Sequence, residues 1–125
     1  MSGMTEALTR TAWIALAVIH VSPAAVLVAP GLVRHLYAVE PTGPAGVLIV
    51  HRGALFLAIV ALALWASLDP AVRRAASVAV AISVAGFLFV YARAGLADGA
   101  LRTIAIADAA ALLPLAWVGW KAWSA

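Results

Sequence analysis

Four apolar stretches, each near the roughly 20 residues that a helix needs to cross a bilayer core, constrain this chain more than any other feature. They run over about residues 11–33, 46–68, 72–91 and 101–123. Apolar residues make up 66% of the chain and charged residues 10%, against about half and about a quarter in an ordinary soluble domain. A soluble domain of 125 residues keeps too much area exposed to hide that much apolar surface. The solvent is therefore lipid, and a soluble enzyme is excluded. No window alternates polar and apolar residues as a membrane β-strand would. The expected fold is all-α: one domain over residues 1–125, a four-transmembrane-helix bundle running up-down-up-down. Sequential spans are antiparallel neighbours, and both termini lie on the same side.

The connections carry clear punctuation. Between spans one and two lie Arg34, His35, Tyr37, Glu40, Pro41, Gly43 and Pro44. Asp69-Pro70 makes the second connection very short, with Asp69 as an N-cap and Pro70 at the first helical position. So tight a turn makes spans two and three antiparallel neighbours. In the third connection Asp98 pairs with Arg102 one helical turn on. The first stretch is longer than the apolar core of a signal peptide and reads as a retained span. Pro23 and Pro30 fall inside it and are expected to kink it. The third span is rich in small residues, from Ala75 to Gly86, which lets backbones approach closely. Such a bundle has space for a narrow polar crevice but not for a roomy cavity.

Arg10, Arg73, Arg74 and Lys121 fall on the terminal side, with Arg73-Arg74 as a basic surface anchor. Arg34, Arg93 and Arg102 fall on the other. This slight excess points the termini to the cytoplasm. Trp13, Trp65, Trp117, Trp120 and Trp123 all belong to the terminal side, as interfacial anchors do. The net charge of +3 is too scattered to bind a nucleic-acid backbone. There is no cysteine, and no arrangement of residues suggests a metal site. Ser22, Ser77 and Ser83 lie within spans, where serine hydroxyls bond to backbone carbonyls.

Ionisable groups within a span are costly and face the protein interior. Arg52 and Asp108 each lie about 9 Å below the same membrane face, by helical rise. This depth match predicts an Arg52–Asp108 ion pair between spans two and four. His51, beside Arg52, and Tyr91 are further candidates for binding or proton relay. His20 is mid-span by the same arithmetic, at about 20 Å from that face against about 8 Å for His51. A histidine-clamped haem is therefore not expected, and no cofactor is. His20 is expected to bond to a carbonyl near the Pro23 kink.

The run Leu36-Tyr37-Ala38-Val39-Glu40-Pro41, then His51-Arg52-Gly53-Ala54-Leu55-Phe56, then Asp108 early in the last span, resembles a family of small bacterial four-helix membrane proteins of unknown function. That family has a glycine where Ala38 stands here. The resemblance covers about residues 31–120. It implies a bacterial inner-membrane protein in which His51, Arg52 and Asp108 matter.

The expected role is non-catalytic. The chain would act by helix association, as a homo-oligomer or an accessory subunit of a larger membrane complex, with lipid and other membrane subunits as partners. The alternative is a small oligomeric transporter or channel whose intramembrane polar site is Asp108, Arg52 and His51. An enzyme acting on lipid or quinone is the weakest reading.

Overall fold

The structure is a computed structural model, and it describes residues 2–124. The described residues form α1 (Gly3–Ala25), α2 (Leu32–Tyr37), α3 (Gly43–Leu68), α4 (Arg73–Arg93) and α5 (Ala100–Trp123), with a single 3-10 turn, Pro70–Val72, before α4. α1, α3, α5 and α4 with its leading turn are each long and apolar enough to cross a membrane. The fold is an all-α bundle of four such helices, which defines an integral membrane protein.

Capping residues set the helix ends. The Ser2 hydroxyl accepts from the Thr5 amide and starts α1. Asp69 accepts from the Ala71 amide at 2.9 Å, with Pro70 next in the turn, as the sequence predicts. Asp98 pairs with Arg102 at the start of α5. The first helix departs from the sequence reading: it starts at Gly3 and ends at Ala25, about eight residues earlier than the apolar stretch implies. Its first two turns are helical but polar, holding Thr5, Glu6, Thr9 and Arg10, and hydropathy does not register them. Pro30 lies in the turns between α1 and α2, so it kinks no helix. α2 ends at Ala38 in the left-handed conformation, at φ 56°.

α1 is the central packing partner. It lies along α3 and α5, and α5 lies along α4. The core between them holds Trp13, Leu16, Ala17, Ala63, Ala66, Val80, Val84, Ala111 and Val118. Gly53 lets α3 approach the end of α1 closely: a Cβ there would sit 2.6 Å from Val26 Cγ2 and 3.0 Å from the Leu27 amide nitrogen. α3 and α4 are antiparallel neighbours, as expected. They are joined by the tight Asp69 turn, yet they touch lightly and diverge into an open groove lined by Ala58, Ala79, Ser83 and Gly86.

At the terminal end, Arg73 is only 5% exposed. It grips the Glu6 carboxylate with two bonds, 2.7 and 3.1 Å long, and the Ala66 carbonyl at 2.7 Å. Arg73 is thus a buried lock between α1, α3 and α4, which corrects its reading as a surface anchor. Arg74 bonds to the Ala122 carbonyl and lies over the Trp123 ring. Trp13 is also corrected: it is fully buried in the core and does not sit at a lipid interface. Trp65, Trp120 and Trp123 are exposed. Trp117 and Trp123 also bond inward, to Thr9 and Ser77.

Candidate functional site

A cavity of about 210 Å³ opens where the end of α1, the short α2, the first half of α3 and the first half of α5 meet. Pro23 helps to create it. Proline has no amide hydrogen, so the helical bond to the Ile19 carbonyl cannot form, and both residues line the cavity. α2 closes the loop side with Leu36 and Tyr37, and is held down by Val33 packed with Val26.

Four ionisable side chains line this space, His20, Tyr37, Arg52 and Asp108, together with the hydroxyls of Ser22 and Thr103. Their levels follow from helical rise. His20 lies five residues from the end of α1, about 8 Å in; Arg52 and Asp108 lie nine and eight residues inside α3 and α5, about 12–14 Å in. Sequence reasoning separated His20 from the others only because it ended the first helix too late. With α1 ending at Ala25, His20 comes within about 4–6 Å of their depth and lines the same cavity.

None of the four makes a side-chain hydrogen bond to another described residue on the cavity side. The single bond in the group runs away from it: His20 Nδ1 meets the Leu16 carbonyl at 2.7 Å. A carbonyl only accepts, so Nδ1 carries the proton and, in the neutral ring, Nε2 is left as a lone pair. That Nε2 is buried and has no partner. The bond to Leu16 is to a carbonyl, as expected, but to one about two turns before Pro23 and not to one at the kink.

Arg52 is held by aromatic faces. Its guanidinium carbon lies 4.8 Å from the Phe56 ring centre, 5.7 Å from Phe87 and 5.8 Å from Tyr37. Cation–π contact of this kind steadies a guanidinium without using up its N–H donors. The expected Arg52–Asp108 ion pair is absent from the salt bridges of the described residues, which join Glu6 to Arg10 and Arg73, Glu40 to Arg34, and Asp98 to Arg102. The two charges share the cavity without closing a contact across it. Their fields meet at Tyr37, which lies outside the spanning helices. Burial pushes its phenol above the usual range, the Arg52 charge pulls it back, and the Asp108 charge adds to the rise.

The other two candidates stand apart. His51 is exposed on α3. Successive helical residues point about 100° apart, so Arg52 turning inward carries His51 outward. Tyr91 is buried beside α5, where its hydroxyl donates to the Ala97 carbonyl at 2.7 Å; it ties down the turn after α4 and does not line the cavity. Ser77 bonds to the Arg74 carbonyl as expected, whereas Ser22 is exposed and sits at the cavity. His20 and Tyr37 are the members the sequence reading left out of the site. The signal for Tyr37 was its place two residues after His35, in a connection long enough to fold back over the bundle. Among the described residues, no group of three or more His, Asp or Glu side chains is placed to hold a metal.

No family model, curated protein or solved structure matches this chain.

Proposed function

We propose that this protein binds a small molecule inside the membrane, in the His20–Tyr37–Arg52–Asp108 cavity, as the recognition step of a small transporter. It performs no covalent chemistry on its guest. The carrying observation is that, among the described residues, His20 Nε2 is buried with no partner and the partly exposed Arg52 and Asp108 side chains beside it make no hydrogen bond or ion pair. Buried polar groups without partners are expensive, above all in lipid. A chain that retains an arginine, a carboxylate and an imidazole lone pair around one space has them there for something that enters it. The site is Asp108 and Arg52 as the transport reading has it, with His20 in the place assigned to His51. By the slight excess of basic residues at the terminal end, the termini face the cytoplasm, and the membrane is the bacterial inner membrane.

The test compares Asp108→Asn and Arg52→Gln with the wild type, by native mass spectrometry of protein taken from its own membranes and by thermal unfolding. The expected result is a co-purifying small molecule on the wild type, lost from both variants, with the unfolding temperature of Asp108→Asn unchanged or raised, since that carboxylate has no ion-pair partner to lose. Arg52→Gln gives up the contacts with Tyr37, Phe56 and Phe87 and should unfold slightly earlier. A drop in stability in both variants, with no bound molecule in the wild type, would make the two residues a structural clamp and end this reading.

The α3–α4 groove favours a second reading, association. It is apolar and exposed, and a Cβ built on Gly86 meets nothing within 4 Å, so the helix of another subunit has room to approach. Gly86→Leu would break such an assembly and leave a lone protomer untouched.

A further inference from the structure

We infer that the guest is a neutral aromatic ring bearing a hydroxyl group, a phenol, that enters sideways from the bilayer. This rests on the small-molecule reading above and specifies its ligand class.

Size comes first. An apolar protein cavity of about 150 Å³ holds a benzene molecule, and this one is about 210 Å³. One ring with a small substituent fits; a haem does not. Charge comes second. The cavity holds one cation, Arg52, and one anion, Asp108. A cationic guest would meet the guanidinium and an anionic guest the carboxylate, so the balanced guest is neutral. Hydrogen bonding comes third. His20 Nδ1 is committed to Leu16, so Nε2 is an acceptor in search of a donor. Asp108 is a second acceptor, and Arg52 supplies unused donors. A hydroxyl meets this set: its O–H donates to His20 Nε2 or Asp108, and its oxygen accepts from Arg52. A ketone or an ether leaves both acceptors unanswered.

The rest of the wall is apolar, with Ile19, Leu36 and Ile104, and the Phe56 ring lies against His20 with ring centres 5.8 Å apart. An aromatic face packs on this apolar side, away from the Ser22 and Thr103 hydroxyls at the mouth. The way in is lateral. Ser22, Thr103 and Ala107 line the cavity and are exposed on α1 and α5, both membrane-spanning, so the mouth opens between these helices toward lipid. Phenols dissolve in that phase.

The experiment uses the full chain in phosphatidylcholine nanodiscs, labelled with ¹⁵N-histidine and ¹⁵N-arginine, and titrates it with phenol, anisole and toluene. The His20 resonances are assigned with His20→Asn. Phenol is expected to shift the His20 Nε2 signal saturably and to bind at least about tenfold tighter than toluene, the difference made by one hydrogen bond to a charged or buried partner. Anisole, with its donor blocked, should behave as toluene does. Tyr37→Phe, which keeps the ring, should retain the phenol preference, while His20→Asn, followed at the Arg52 signal, reduces it. Equal binding of phenol and toluene overturns the hydroxyl assignment and leaves the cavity as a binding site. Failure of all three to shift the His20 or Arg52 signals overturns both.

Discussion

Replacing Arg73 with alanine should be the most damaging single change at the terminal end of the bundle. Arg73 is 7% exposed by its side chain and Glu6 26%, and their contact is bidentate at 2.7 and 3.1 Å. The same guanidinium donates to the Ala66 carbonyl at 2.7 Å, at the end of α3. Breaking a buried pair by removing one partner costs about 3–5 kcal/mol. Glu6 is partly hydrated and keeps Arg10 at 3.1 Å, so the pair itself is worth less, about 2 kcal/mol. Losing the carbonyl's bond to a charged donor adds about 1.5 kcal/mol. The sum predicts that Arg73→Ala destabilises by about 3–4 kcal/mol and Glu6→Gln by about 2 kcal/mol. A double-mutant cycle should return a coupling near 2 kcal/mol. Arg73→Lys keeps the charge but not the fork, and should restore less than half of the loss. The assay is equilibrium unfolding in mixed micelles, followed by tryptophan fluorescence. Single variants that both unfold within about 0.5 kcal/mol of the wild type would refute the assignment of a structural lock.

The remaining predictions concern backbone and loop. Gly53→Ala should destabilise by about 1–3 kcal/mol, because the new methyl meets Val26 and the Leu27 backbone; the same unfolding assay reads it. Ala38→Gly should stabilise by about 1 kcal/mol, since Ala38 holds a left-handed conformation at the end of α2; thermal unfolding should rise, and a fall would mean that the α2 turn is not as described. The exposed Arg34–Glu40 pair holds the Glu40 carboxyl below its usual range, burial opposing weakly. Its contribution to the loop is present above the ordinary carboxylate pKa and fades as pH falls through the lowered one. An NMR titration of Glu40 should move up to the ordinary value in Arg34→Ala.

What the sequence made legible was whatever hydropathy and local chemistry carry. Four spans, the Asp69-Pro70 turn and the Asp98–Arg102 pair need only neighbours along the chain. So does the choice of Arg52 and Asp108, since a charge within a span stands out against its surroundings. What escaped depends on rotation, on polar helix ends or on distant partners. Glu6 and Arg73 are 67 positions apart, and nothing local marks them as a pair. Trp13 looks like an interfacial anchor until a helix that begins at Gly3 turns it into the core. The same early start brings His20 nearer the depth of Asp108. His51 and Arg52 are equally polar neighbours, and only the rotation of α3 decides which faces the cavity. The α3–α4 groove is a matter of crossing angle, which a short turn does not fix. The left-handed position of Ala38 gives a physical reason why glycine suits that place, and it is visible only once α2 is seen to end there.

Arg52 and Asp108 face one space without bonding to each other. A dipolar-recoupling measurement between the Arg52 guanidinium nitrogens, labelled with ¹⁵N, and the Asp108 carboxylate carbon, labelled with ¹³C, tests this directly in lipid. No direct N–O contact is expected in ligand-free protein, and therefore weak dephasing. Strong dephasing, at the separation of a directly hydrogen-bonded pair, would mean that the two charges satisfy each other, and the cavity would lose its reason to bind a guest.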